Sequence, residues 1–292
     1  MQILLAVDAS AASRAAIDEV ATRPWPPGSR VEVLTVIDQL EPWTLGELAA
    51  QVNALAQKLV EGGAEHLRSR GLAADGRVAE GDPKTVILDH ATTMGADLIV
   101  LGAHGTSAIE RFLLGSVSKA VLRHAPCSVA IVRENGARGG ALKVLLAVDG
   151  SAGSRRAAES VAGHPWPAGT EIRVLSAVEL GLSALQAAFE IPSLDATHLE
   201  TQRVAAMERA EDAIDSARTT LEAAGLTASE SVSVLVASPK EIILQEAAEW
   251  PADWIVLGSS GHGALDRFLL GSTSEAVATH APCSVEVIRG KG

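Results

Sequence analysis

The chain has 292 residues, room for two domains of about 150 residues each. With 47% hydrophobic and 21% charged residues it has the composition of a globular protein with true cores, and its net charge of −12 excludes the basic face of a nucleic-acid binder. Two cysteines without CxxC spacing exclude a disulfide scaffold, and no apolar run approaches the roughly 18 residues of a membrane helix. Asp8 interrupts the N-terminal apolar run and no basic region precedes it, so no signal peptide is read. The expectation is a cytoplasmic protein that contacts neither nucleic acid nor membrane.

Taken in order, Gln2–Val7 is expected to be a strand apolar on both faces, as a central parallel strand should be. Asp8-Ala9-Ser10 closes it, and a helix from about Ser13 to Ala21 follows. Pro24–Gly28 breaks that helix before a second strand at Arg30–Val36. A long helix from about Leu45 to Arg70 carries Leu48, Val52, Leu55 and Leu59 at steps of four and three, one helical face, with Gly71 as its stop. A short strand near Arg77–Ala79 meets Gly81-Asp82-Pro83, and Pro83 suits the first turn of a helix to Met94. A strand at Asp97–Leu101, a glycine-rich loop, a helix from Ser116 to His124 and a last strand at Ser128–Arg133 complete the half. Strands alternating with helices imply parallel βαβ units with helices on both faces.

Glu134–Ala141 is polar and glycine-rich, and the pattern then restarts: Lys143–Ser151 repeats the opening at an offset of 141. The domains are read as 1–134 and 142–292, joined by a linker at 135–141. By the glycine loop the offset is 156, so the second half has gained fifteen residues, mostly around Leu182–Thr201. Its long helix carries Met207, Ala210, Ile214, Ala217 and Leu221 at three-four spacing, read as packing on the sheet. The loop before it holds Leu185, Phe189 and Ile191, whose need for cover keeps a partner-binding helix as the alternative.

Two stretches carry the chemistry. The first runs Leu98-Ile99-Val100-Leu101, then Gly102-Ala103-His104-Gly105, nine residues, and Gly115-Ser116; the second runs Trp254-Ile255-Val256-Leu257, Gly258-Ser259-Ser260-Gly261, nine residues, and Gly271-Ser272. Each is a buried strand, a loop cut by glycines, and a helix start. Glycines let the backbone turn sharply and bring N–H groups close to an anion, the helix start adds unpaired donors, and Ser116 or Ser272 adds a hydroxyl at the cap. Glycines also permit close helix–sheet packing; the recurrence of the spacing with its serine favours nucleotide binding.

Gly-x-x-Gly-x9-Gly-Ser after a strand resembles the ATP-binding signature of the universal stress protein family. The flanking text agrees: Arg111–Ser116 leads to His124-Ala125-Pro126-Cys127-Ser128-Val129, and Arg267–Ser272 leads to His280-Ala281-Pro282-Cys283-Ser284-Val285. The resemblance covers nearly the whole chain as two tandem domains. It implies two doubly wound, Rossmann-like α/β domains, each a five-stranded parallel sheet of order 3-2-1-4-5. It also implies an internal pseudo-dimer, with Ser128–Arg133 antiparallel to Ser284–Arg289. The implied nucleotide contacts are Ala6, Val7, Asp8, Val36, Gly102, His104, Gly105, Gly115, Ser116 and Val117 in the first half. In the second they are Ala147, Val148, Asp149, Val178, Gly258, Ser260, Gly261, Gly271, Ser272 and Thr273. The ligand would be ATP, with or without Mg2+.

Asp8 and Asp149 end the first strand of each half, where an open α/β sheet binds ligands; each could face the ribose or base, or cap the next turn. His104 has Ser260 as its counterpart and reads as a solvent-facing loop residue. His124 and His280 suit the helix dipole at helix ends, and Cys127 and Cys283 read as buried small hydrophobes. No His/Cys cluster suggests a metal. Arg111 and Arg267, each after an acid (Glu110, Asp266), read as surface ion pairs. No Gly-Lys-Ser/Thr, acidic magnesium pair or water-orienting base is placed, so the sequence supports holding ATP over cleaving it, with at most slow hydrolysis. Near the expected pocket rim, Ala9 stands where the second half has Gly150, and Ala237-Ser238-Pro239 where the first has Gly81-Asp82-Pro83. The expectation is a stress-response regulatory module acting through conformation or a protein partner, with homodimers of the tandem chain possible in principle. A nucleotide-hydrolysing or nucleotide-transferring enzyme and a nucleotide-free interaction scaffold are the rival readings.

Overall fold

A computed structural model describes residues 1–38, 47–105, 114–134, 140–179, 196–235, 238–261 and 270–290. In the first half these form β1 (Gln2–Ala6), α1 (Ala11–Thr22), β2 (Arg30–Ile37), α2 (Glu47–Ser69), β3 (Ala73–Glu80), α3 (Pro83–Met94), β4 (Leu98–Gly102), α4 (Ser116–His124) and β5 (Ser128–Val132). The second half repeats them as β6 (Lys143–Val148), α5 (Ala152–Ala162), β7 (Glu171–Glu179), α6 (Ala196–Ala223), β8 (Ala228–Leu235), α7 (Pro239–Glu249), β9 (Trp254–Gly258), α8 (Ser272–His280) and β10 (Ser284–Ile288).

The strands make one ten-stranded sheet in the order β3-β2-β1-β4-β5-β10-β9-β6-β7-β8. Each half therefore runs 3-2-1-4-5 in its own numbering, and every pair within a half is parallel. The seam is antiparallel, with Val285 opposite Ile131, Glu286 opposite Ala130 and Val287 opposite Val129, as the resemblance implied. Strands covered on both faces need apolar residues at every position, and Ile3, Leu4, Leu5, Leu98, Ile99, Val144, Leu145 and Leu146 are fully buried. One core lies between the sheet and α1, α2, α5 and α6; the other lies under α3, α4, α7 and α8.

Local chemistry sets the helix starts. Ser10 and Ser151 accept from the N–H of Ser13 and Ser154, so α1 begins at Ala11, two residues before the expected start. Asp82 caps α3 ahead of Pro83, and its bond from Thr85 N–H holds its carboxyl below the usual range. Gly95 closes α3 at φ 64°, a left-handed conformation suited to glycine.

Two expectations need correction. The buried face of α2 is Val60, Ala64 and Leu67, whereas Leu48 and Leu55 are 51% and 68% exposed and Val52 is half-buried. A 23-residue helix is about 34 Å long and an eight-residue strand about 27 Å, so the first turns of α2 overhang the sheet. The strand expected near Arg77–Ala79 is β3, which pairs with β2 over its whole length, from Arg30–Ala73 to Ile37–Glu80. Gly76 and its charged neighbours disguise it. A Cβ on Gly76 would lie 3.0 Å from the Val60 backbone, so the glycine admits α2 close to the sheet edge. On α6, Ala210, Ile214, Ala217 and Leu221 are buried against the sheet and Met207 is half-buried, as the packing reading expected. Leu185, Phe189 and Ile191, and linker residues 135–139, lie outside the described residues.

Candidate functional site

The parallel strands point their carboxyl ends toward one edge of the sheet, and the candidate residues gather there. After β1, Val7 donates its N–H to Leu34 O at 2.8 Å, and Asp8 follows. Asp8 Oδ1 accepts from Ser10 N–H (3.0 Å) and Ser13 Oγ (2.7 Å), while Asp8 N–H donates back to Ser13 Oγ (2.9 Å). Oδ2 faces the glycine loop: a Cβ built on Gly105 would lie 2.7 Å from it. In the second half Asp149 Oδ1 accepts from Ser151 N–H at 2.9 Å, and a Cβ on Gly261 would lie 2.5 Å from Oδ2. One oxygen thus fixes the turn into the next helix and the other is aimed at the loop, so capping and ligand contact are compatible roles.

The loops are closed at their base. Ala103 N–H donates to Val132 O (2.9 Å) and Gly115 N–H returns to Ala103 O (2.8 Å); Ser259 and Gly271 repeat this at 2.9 and 2.7 Å. Ser10 Oγ donates to His104 O and Ser151 Oγ to Ser260 O, at 3.3 and 3.4 Å. None of the six loop glycines takes a positive φ, so a left-handed turn is not what they supply. They supply close approach. A Cβ on Gly102 would meet Ala12 Cβ at 2.7 Å, and one on Gly258 the carbonyl carbon of Gly153 at 2.5 Å.

The helix starts differ from expectation in one respect. Gly115 and Gly271 are the N-caps and make no side-chain cap bond; Ser116 and Ser272 are the first helical residues, with exposed side chains. The first bonds inside the helices run from Lys119 N–H to Gly115 O and from Glu275 N–H to Gly271 O. The N–H groups of residues 116–118 and 272–274 therefore have no acceptor within their helices, and the positive end of the helix dipole lies with them. Ser118 Oγ donates to Gly102 O (2.8 Å) and Ser274 Oγ to Gly258 O (2.7 Å), tying each helix start to its strand end. Sequence reasoning missed this pair, although a serine two places after Gly-Ser recurs in both copies.

In the second half these parts enclose a cavity of about 510 Å³, lined by Ala147, Val148, Asp149, Ser151, Ser154, Ala177, Pro239, Ile243, Leu257, Gly258, Ser260, Gly261, Leu270, Gly271, Ser272, Thr273 and Ser274. Of the second-half candidates, Ala147, Val148, Asp149, Gly258, Ser260, Gly261, Gly271, Ser272 and Thr273 line it, and the side chain of Val178 lies outside the described residues. Ala177 of β7, the counterpart of Val36 at the offset of 141, is among the lining residues. Among the described lining residues there is no lysine or arginine. An anion there would be held by backbone donors, and Asp149 could accept from hydroxyl groups. In the first half, Ala6, Val7, Asp8, Val36, Gly102, His104, Gly105, Gly115, Ser116 and Val117 occupy the corresponding strand ends, loop and helix start.

Other candidates are placed as follows. His104 is half-buried rather than solvent-facing, and His124 and His280 are exposed at the ends of α4 and α8. Cys127 and Cys283 are buried, and burial pushes the Cys283 thiol up to about 12. Ser238 caps α7 without a side-chain bond, unlike Asp82, and Gly150 takes φ 79°. Arg111, Arg267, Glu110, Asp266 and Ala237 lie outside the described residues. Among the described residues there is no group of three or more His, Cys, Asp or Glu placed to hold a metal, and no helix long and apolar enough to cross a membrane.

Known proteins agree with this architecture. A family model described as the universal stress protein family matches residues 1–133 and 141–289. A universal stress protein of Mycobacterium tuberculosis (strain H37Rv) is 31% identical over 209 residues, 66% of this chain and 62% of that protein. A putative universal stress protein of Staphylococcus epidermidis is 34% identical over 137 residues, 45% of this chain and 82% of that protein. The crystal structure of a universal stress protein from Archaeoglobus fulgidus superposes with a TM-score of 0.70 at 22% identity, covering 100% of this chain and 98% of that one, a likeness of fold.

Proposed function

Because the chain belongs to the universal stress protein family, we propose that it binds ATP, one molecule in each half, as a stress-response regulatory module of the cytoplasm that holds nucleotide rather than turning it over rapidly. The observation that carries the reading is the start of α8. Its N–H donors at residues 272–274, which have no acceptor within the helix, meet Asp149 and the loop glycines around one cavity of about 510 Å³.

The residues fit an adenine nucleotide. Gly261 leaves the space beside Asp149 Oδ2 that a Cβ would fill, and the backbone at 260–261 and 271–274 supplies donors for phosphate oxygens. Asp149 would accept from ribose hydroxyls, and Ala177, Ile243 and Leu257 give apolar wall for a base. Asp149 is also the one carboxylate among the described lining residues, so Mg2+ would be held chiefly by the phosphates themselves. The described lining residues include no lysine, acidic pair or second base to speed phosphoryl transfer. Signal output would then pass through conformation or a protein partner.

Mass spectrometry of the small molecules that leave the purified protein on denaturation, followed by calorimetry of the nucleotide-free protein with ATP, tests the proposal. Adenine nucleotide in the first and up to two sites in the second are expected. A protein that carries no nucleotide and takes up no ATP would be the interaction scaffold instead, and sustained rapid turnover would make it an enzyme.

A further inference from the structure

The seam between the halves has a symmetric frame. Arg133 N–H donates to Ser284 Oγ and Arg289 N–H to Ser128 Oγ, both at 3.2 Å. Arg133 Nη2 reaches the carbonyls of Ala278 and Thr279, and Arg289 Nη2 those of Leu122 and Arg123, at 2.7–3.1 Å. These are corresponding positions at the offset of 156. Each arginine covers the C-terminal carbonyls of the other half's helix, and two copies of either half could build the same frame.

The charges set on that frame are not symmetric. On the α1 side of the sheet Arg23, 6% exposed, pairs with Glu286 of β10 (Nη1 to Oε2, 2.8 Å). Its Nε donates to His164 Nε2 at 2.7 Å, and its guanidinium lies about 5 Å from the ring centres of Trp25, Trp166 and Trp254. At the offsets of the repeat, the counterpart of Arg23 is His164 itself, and that of Glu286 is Ala130, the residue directly opposite it across the seam. Burial, and then the nearby Arg23, hold His164 neutral, its imidazole pushed down to about 2, so it can accept from the guanidinium. On the other side of the sheet Glu275 of α8 pairs with Arg123 (2.6 Å) and Lys119 (3.6 Å) of α4. Lys119 and Glu275 are again counterparts, and Arg123 corresponds to Thr279.

We propose that this seam is a polarised recognition surface: the first half, cationic through Arg23, Lys119 and Arg123, selects the second half, anionic through Glu286 and Glu275, and neither half accepts a copy of itself. Two first halves would set Arg23 against Arg23 and Lys119 against Lys119, with Ala130 offering no carboxylate and the buried Glu19 beside each Arg23 driven toward its neutral form by burial. Two second halves would set Glu286 directly opposite Glu286 within the sheet, and Glu275 opposite Glu275. Like charges directly opposite, or a buried charge without its partner, oppose assembly. The frame supplies adhesion and the charges supply choice. This inference does not depend on what the cavity binds.

Charge exchange within the intact chain tests it. In Lys119→Glu a carboxylate faces Glu275, and in Glu275→Lys two lysines meet; both sites are partly exposed, so these variants should fold. Each is expected to lower the thermal midpoint, and the double exchange Lys119→Glu/Glu275→Lys to recover most of the loss. A second set addresses the buried cluster. Glu286→Ala with His164→Arg gives the second half the first half's residues and should raise the unfolding constant about a hundredfold or more. Adding Ala130→Glu and Arg23→His reverses the polarity and should recover stability. If the single exchanges at 119 and 275 are as stable as the parent, or if their double exchange recovers nothing, polarity does not govern the pairing and the proposal is wrong.

Discussion

Gly271→Val is the sharpest test of the cavity. At φ −67° and ψ 146° the backbone is open to any residue, so no left-handed strain arises. An added Cβ would sit 3.3 Å from Ser259 O, 3.6 Å from Ser260 Cα and 3.7 Å from Ser274 Oγ, tolerable with shifts of a few tenths of an ångström. Valine is a poor N-cap, which should cost about 1 kcal/mol of stability. Its methyl groups would stand beside the N–H donors of the first turn of α8. A hydrogen bond to a charged group contributes about 1.5–3 kcal/mol, so losing two should weaken ATP at that site by about 3–6 kcal/mol, or roughly 10²–10⁴-fold in Kd. Gly115→Val should do the same in the first half, where its Cβ would lie 3.6 Å from Gly105 N. Calorimetry on nucleotide-free protein is the assay, with circular dichroism to confirm the fold. Each variant should lose one site and keep the other. If both bind ATP as the parent does, the glycine loops do not hold the phosphates.

Gly258→Ala should destabilise the fold by about 1–3 kcal/mol in urea, since its Cβ would lie 2.5–2.9 Å from the Gly153 backbone; an unchanged midpoint would show that α5 is not seated on the strand end. Steady-state ATP turnover should fall below the roughly 1–100 s⁻¹ of kinases, and a rate inside that range would refute the holding role. The seam cluster should leave a signature in pH. Burial, opposed by Arg23 and reinforced by Glu286 and Asp253, raises Glu19 from 4.5 to about 7, so its contribution is complete below 4.5 and is lost as pH rises through 7. His164, lowered from 6.5 to about 2, contributes fully above 6.5 and loses that as pH falls. Between pH 4.5 and 6.5 the two slopes, each about 1.4 kcal/mol per unit, oppose one another. Glu19→Gln should therefore gain stability relative to the parent as pH rises across that window, and His164→Gln should lose it. Urea unfolding of Glu19→Gln at several pH values that tracks the parent would refute the assignment.

The alternating β and α pattern, the position of each glycine loop and the packing stripe of α6 were all legible from residue spacing. The strand order and the seam came from the family resemblance rather than from any periodicity. Leu48 and Leu55 misled because periodicity reports a face of a helix and not whether the sheet extends beneath it. β3 was read too short because Gly76 answers to the backbone of α2, a contact distant in sequence. Ser116 and Ser272 sit where a cap is expected, yet the glycine before each takes the cap position. The polarised seam was present in the text as Arg23 against His164 and Lys119 against Glu275, but it appears only when the copies are laid over each other and searched for differences.

The single sheet that runs through both halves makes their association a unimolecular event. Two separate chains that met through β5 and β10 would fall apart on dilution, and their stability would carry a term in protein concentration. Here the segment between Val132 and Lys143 joins the two mating edges in one chain, so each meets the other as an intramolecular partner. Pairing then persists at any copy number. Under the proposed function, nucleotide occupancy would then follow how much ligand is present, independently of how many copies of the protein have been made.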